Sequence, residues 1–175
     1  MTNIVKPPDH TDTQARPSDV PAREERPNVG KLLAGPYLLL VEALDRRLRE
    51  GGFGDVRPAH GTVFQVIDEA GTRVTELAAR AGMTKQAMTE LVVHLEGGGY
   101  LERVPDPHDG RARLVRLTRR GWECIAFARA GIAQIEAEWA GLIGTARLDD
   151  VKEALEALND ALAVEPSWPR AQSAG

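Results

Sequence analysis

Cysteine is nearly missing from this sequence: Cys124 stands alone among 175 residues. No intramolecular disulfide framework is therefore available, and a reducing compartment suits the chain. Long apolar runs are missing too. No stretch approaches the roughly 20 residues that a membrane-crossing helix needs. The amino terminus, MTNIVKPPDHTDTQARPSDV, has no apolar segment to act as a signal peptide. These absences point to a cytoplasmic protein with no membrane partner. Catalytic equipment is also lacking. There is no glycine-rich phosphate loop, no nucleophile elbow, and no acid and base at a workable spacing. His10, His60, His94 and His108 are scattered, without cysteine or carboxylate neighbours at ligand spacing. The expectation is a protein with no metal site and no cofactor, and not an enzyme.

An overall excess of positive charge is absent as well, since the formal net charge is −4. The charge is unevenly placed, however. From Arg103 to Arg120 there are six arginines against two aspartates, a local +4, which leaves −8 for the rest of the chain. A basic segment on an acidic body suits a protein that grips phosphates at one place. Cys124, inside a long apolar-faced segment, reads as a packing residue, because a redox sensor needs an accessible, acidified thiol.

The hydrophobic share of 42% and the charged share of 27% are ordinary for a globular domain. Residues 1–28 are rich in proline, aspartate, threonine and arginine, with too little apolar surface to offset ordering entropy. They read as a disordered tail, and residues 164–175 as a second one. Between the tails the pattern is mostly helical. Leu32, Leu33, Tyr37, Leu40, Val41, Leu44 and Leu48 recur at spacings of three and four, a stripe that ends at Gly51-Gly52. Pro58 suits the first turn of a second helix, with Val63, Val66 and Ile67 facing inward and Gly71 closing it.

Two short helices follow, Val74–Ala81 and Thr84–Glu96, separated by a turn starting at Gly82. Thr84 is placed to cap the second, Ala78, Met88, Leu91 and Leu95 face inward, and Gly97-Gly98-Gly99 ends it. Tyr100–Val104 and Leu114–Leu117 read as paired strands around the turn formers of Pro105–Gly110. Thr118 then caps a long helix with Ile125, Ile132, Ile135, Trp139, Leu142 and Ile143 inward. A last helix carries Val151, Leu155, Leu158 and Leu162.

A helix-turn-helix followed at once by a hairpin is an arrangement that fits duplex DNA. The second helix of the pair matches the width of the major groove, where base edges present a readable pattern. Thr84, Lys85, Gln86 and Thr89 are the polar residues of its amino-terminal half and the candidate DNA contacts there. Glu90 can accept from a cytosine N4 amino group, but its plainer reading is a solvent-facing residue that disfavours nonspecific phosphate contact. Arg111 and Arg113, at the tip of the arginine-rich hairpin, are placed to enter a narrow, negative minor groove. Asp109, two residues before Arg111, is the candidate support that holds that arginine extended.

With those residues in view, the chain resembles the MarR family of transcriptional regulators over roughly residues 30–163. The resemblance is carried by Val74–Gly82, Thr84–Leu95, Gly99–Arg103, Asp106-Pro-His-Asp-Gly-Arg111 and Leu117-Thr-Arg-Arg-Gly121. It departs where Glu90 takes a position that is usually basic, and where Gly97 and Gly98 replace charged residues. The resemblance implies a fold that is mainly α with a small β-hairpin wing, a winged helix-turn-helix domain plus a helical dimerisation region. The divisions are a tail at 1–28, a dimerisation helix at 29–56, the winged domain at 57–121, dimerisation helices at 122–163 and a tail at 164–175.

It also implies a homodimer that binds a pseudo-palindromic double-stranded DNA operator, most simply as a repressor released by a small aromatic or lipophilic effector. The family's groove between the first, second and fifth helices makes Tyr37, Arg57, His60 and Trp122 the candidate effector-pocket residues. Dimer-core packing for Tyr37 and Trp122, and a satisfied histidine at His60, are the plainer readings. Two functional alternatives stand beside this one: a winged-helix protein-interaction module, and a DNA-binding regulator without a ligand.

Overall fold

A computed structural model describes residues 27–162 of the protein. The tail expected at 1–28, apart from its last two residues, and the one at 164–175 lie outside the described residues. The element order is α1 (Val29–Glu50), α2 (Pro58–Val66), α3 (Val74–Arg80), α4 (Lys85–Gly97), β1 (Leu101–Asp106), β2 (Asp109–Leu117), α5 (Arg119–Ile143) and α6 (Thr145–Ala161). This is the mainly helical fold with a two-stranded antiparallel wing that the sequence predicts.

The helix starts follow local chemistry. Asn28 accepts the Lys31 N–H at 3.0 Å, Thr84 accepts the Ala87 N–H at 3.2 Å, and Thr118 accepts the Gly121 N–H at 3.1 Å. Each side-chain oxygen satisfies a donor that the first helical turn leaves unpaired. Pro58 opens α2, where no N–H is missed. The turn between α3 and α4 passes through Gly82 at φ 61°, a conformation that a Cβ disfavours.

Two segments differ from the sequence expectation. Helix α2 stops at Val66, and Ile67 is already extended. The cause is Thr72, whose Oγ1 accepts the Asp68 N–H at 2.9 Å while its backbone pairs both ways with Val115 at 2.9 Å. That bridge adds a third, one-residue strand to the hairpin and pulls the chain off the helix axis. The hairpin strands are also longer than expected, reaching Asp106 and Asp109, so only Pro107 and His108 turn the chain. Aspartate side chains supply the missing turn bonds: Asp106 accepts the His108 N–H at 2.8 Å and Asp109 accepts the Arg111 N–H at 3.1 Å.

The core lies under α2, α3, α4, the hairpin and the first half of α5. Val63, Leu77, Met88, Val92, Leu95, Tyr100 and Val115 are completely buried. Of the stripe predicted on α1 only Leu48 is buried, whereas Leu32 and Tyr37 are 56% and 65% exposed. Leu142 and Ile143 of α5 are exposed too, and α6 buries no residue. The periodicity is there, but the described residues leave these positions largely uncovered. No helix of the described residues is long and apolar enough to cross a membrane.

Helix α5 begins hard against the start of the wing. The Thr118 N–H donates to the Tyr100 carbonyl at 3.0 Å, and a Cβ on Gly121 would lie 2.3 Å from that same carbonyl oxygen. Gly121→Ala therefore forces backbone apart. The expected loss is about 1–3 kcal/mol, the usual cost of overpacking, read as a lower midpoint in chemical denaturation.

Candidate nucleic-acid interface

Helix α4 turns one face to the core and one to solvent. Met88, Val92 and Leu95 are completely buried. At 3.6 residues per turn, the opposite strip is Gln86, Glu90 and Val93, and all three are exposed. Lys85 is exposed at the amino-terminal end. The two threonines among the candidate contacts are engaged within the helix: Thr84 caps it, and the Thr89 hydroxyl donates to the Lys85 carbonyl at 2.7 Å.

In the wing, the ladder slips between Pro105 and Asp106. Pro105 lies opposite Arg113 while Asp106 lies opposite Asp109, so Gly110, Arg111 and Ala112 have no residue facing them. Arg111 thus projects from an outward bulge, and both Arg111 and Arg113 are exposed. Sequence reasoning ties Asp109 to the Arg111 guanidinium. In the structure Asp109 instead accepts the Arg111 backbone N–H at 3.1 Å, and its other oxygen accepts from Arg73 at 3.3 Å. Arg73, just before α3, also donates through Nε to Asp106 at 2.7 Å. The Asp106 side chain is 6% exposed, and its carboxyl is held below the usual carboxylate range by the His108 N–H and then by Arg73. Arg73 therefore fastens the wing to the helix-turn-helix. Nothing in the sequence marks it, because its partners lie 33 and 36 positions away.

The distribution of ion pairs sharpens the charge argument. Arg103 pairs with Glu96, Arg116 with Glu102, Arg119 with Glu123, and Arg80 with Asp68 and Glu76. Lys85, Arg111 and Arg113 have no acidic partner among the described residues. Half of the arginines in the basic segment are neutralised by carboxylates; Arg120 turns to Tyr100, and Arg111 and Arg113 stay exposed near the wing tip.

Behind this surface, α1, α2 and α5 enclose a cleft of about 220 Å³. Tyr37, Leu44, Arg57, Phe64, Cys124 and Ile132 are among its walls. Two of the four candidate pocket residues, Tyr37 and Arg57, belong to it. His60 and Trp122 do not line it. Trp122 lies on another face of α5 and is 37% exposed. His60 turns away to cap α2, with Nδ1 accepting the Arg57 N–H at 2.9 Å, and its ring stacks on His94 of α4 at 4.5 Å. His94 in turn lies 3.0 Å through Nε2 from the Asp55 carbonyl. Cys124 is buried, and burial pushes its thiol up to about 11. Among the described residues no group of three or more histidine, cysteine, aspartate or glutamate side chains is arranged to hold a metal.

A three-helix unit closed by an arginine-tipped hairpin is a winged helix-turn-helix. Residues 55–112, spanning most of that unit, match the model of the MarR family. The chain is 32% identical over 91 residues to the transcriptional activatory protein BadR of Rhodopseudomonas palustris, an alignment covering 50% of this chain and 49% of BadR. The chain thus spans about half the length of the curated relatives it matches. The fold superposes on the transcriptional regulator Tm0710 of Thermotoga maritima with TM-score 0.57 at 27% identity, over 77% of this chain and 93% of that one. It also superposes on CouR of Rhodococcus jostii RHA1, solved bound to p-coumaroyl-CoA, with TM-score 0.57 at 22% identity, over 75% and 91% of the two chains.

The His60 pair gives the protein a defined acid sensitivity. Burial first, then His94 and Arg57, lower the His60 pKa from its usual 6.5, with Asp55 opposing. The unfolded chain then takes up a proton that the folded chain refuses, so stability falls as pH drops below 6.5. Asp68 and Asp106 are lowered from 3.8, and their contributions are lost only in more acidic solution. Urea denaturation at pH 7.5 and pH 5.0 is expected to show a stability loss that His60→Asn largely removes.

Proposed function

We propose that this protein is a homodimeric DNA-binding transcriptional regulator that recognises a pseudo-palindromic operator. The observation that carries this reading is the set of unpaired cations, Lys85, Arg111 and Arg113, on a surface whose other described arginines are mostly held in ion pairs. Unpartnered guanidinium groups on a projecting bulge are matched to phosphates and to a narrow minor groove. Lys85 and Gln86 sit where α4 would meet base edges and phosphates in the major groove. Asp109 supports the wing through Arg73 and the Arg111 backbone.

The exposed apolar side chains support the dimer. Leu32, Leu33, Tyr37, Leu38 and Leu39 of α1, Leu142 and Ile143 of α5, and Val151 and Leu158 of α6 are each at least 43% exposed. An apolar surface of that extent is a mark of association. It supports a division in which 29–56 and 122–163 serve dimerisation and 57–121 serves DNA binding. Pairing through α1, α5 and α6 sets the distance between the two copies of α4, and half-sites one helical turn, about 34–36 Å, apart demand a fixed distance.

The cleft supports a small-molecule input. Its walls are mostly apolar, with Tyr37, the Arg57 cation and the Asp45 carboxylate among them, which suits an aromatic or lipophilic molecule with a polar end. Because α1, α2 and α5 all contribute, an occupant would bias the geometry between the dimerisation helices and the winged unit, releasing DNA by a population shift. A cytoplasmic location follows from this role.

The test is binding to fragments of the DNA upstream of the protein's own coding sequence, across a salt series and against random competitor. Specific retention that weakens linearly in log salt is expected. Arg111→Ala is expected to cost about 1–3 kcal/mol of operator affinity, and unchanged affinity would remove the wing from the interface. Sedimentation at micromolar concentration is expected to give a dimer, with Leu32→Glu shifting it towards monomer.

A further inference from the structure

We infer that Glu90 is a specificity-determining side chain of α4 and that it selects a cytosine amino group in the major groove of each half-site. This rests on the DNA-binding reading above. It starts from a carboxylate where a DNA-facing surface should not tolerate one. Glu90 lies on the exposed strip directly opposite the buried Met88, Val92 and Leu95. The other carboxylate of α4, Glu96, is neutralised by Arg103 at 2.9 Å. Among the described residues Glu90 is in no ion pair, and one of its oxygens takes a hydrogen bond from the Gln86 amide at 3.4 Å.

A carboxylate only accepts hydrogen bonds. The major-groove edges of guanine and thymine offer it acceptors, and adenine places the N7 acceptor beside its N6 amino group. Cytosine alone presents the N4 amino donor with no acceptor next to it. Against any other base Glu90 meets repulsion from the base edge in addition to the phosphates, in a groove where water screens poorly. The unpaired Lys85, Arg111 and Arg113 attract every duplex alike, and Glu90 subtracts from each one that fails to offer the amino group. Val93, one turn further along the same strip and 55% exposed, is an apolar group suited to a neighbouring thymine methyl.

The experiment is enrichment of binding sites from a random duplex pool by the full-length protein, by Glu90→Ala and by Glu90→Gln. Glu90 is exposed and in no ion pair, so both variants should retain the wild-type melting temperature. The wild type is expected to enrich a two-fold symmetric motif with cytosine at one position of each half-site. Glu90→Ala is expected to keep the rest of the motif, lose at least about fivefold discrimination at that position, and bind random competitor more tightly. Glu90→Gln is expected to move the preference there towards adenine, whose N6 and N7 match an amide. A motif identical for all three proteins, or one without cytosine in the half-site, overturns the role of Glu90 and leaves the DNA-binding reading intact. Enrichment of no motif by the wild type overturns both.

Discussion

The hydrogen-bonded burial of Tyr100 is the constraint on which the rest of the structure depends. Its ring is completely buried, its N–H donates to Leu95 at the end of α4, and its carbonyl takes the Thr118 N–H at the start of α5. Its hydroxyl donates to Asp55 in the loop before α2 and accepts from Arg120 at 3.0 Å. Arg120 lies over the Tyr100 and Phe53 rings at 4.8 and 5.5 Å, a placement in which the ring faces attract the cation. Burial first, and then the Asp55 contact, push the Tyr100 hydroxyl up to about 12, so it stays a neutral donor. One residue thus joins the α1–α2 loop, α4, the wing and α5, and Gly121 is required because the chain passes so close.

Around that junction the molecule separates rigid parts from free ones. The wing is held to α3 by Arg73 through Asp106 and Asp109, while Gly110–Ala112 at its tip have no ladder partner. Among the described residues the exposed apolar side chains of α1, α5 and α6 are likewise left uncovered. The cleft lies between these two halves, and the stacked His60 and His94 sit on the other side of α2. Any movement of α1 against α2 must be accommodated by side chains that also touch the core of the winged unit.

Much of the fold is legible in the sequence because its elements are marked locally. Asn28, Thr84 and Thr118 are oxygen-bearing side chains at helix starts, Gly82 and the Gly97–Gly99 run mark ends, and Pro58 can open a helix but not continue one. Apolar spacing of three and four then finds every helix. The early end of α2 was not legible, since Thr72 pairs with Val115 across 43 positions of chain. The exposed face of α4 was partly legible: Lys85 and Gln86 are exposed where polar patterning puts them, whereas Thr84 and Thr89 spend their hydroxyls on their own helix.

By itself the sequence determined the class of protein, through helix periodicity, the capping residues and an arginine-rich hairpin beside a helix-turn-helix. Those signals are local, and a chain of a few residues is enough to express them. Tertiary structure alone decided which charges remain free. Arg103 and Arg116 look no different in sequence from Arg111 and Arg113, yet the first two find carboxylates and the last two do not. It likewise decided that His60 turns to His94 rather than to the cleft, and that the guanidinium reaching the Asp109 side chain is that of Arg73 and not of Arg111. Pairing depends on which side chains arrive within a few ångströms of one another, and that distance exists only once the chain has folded.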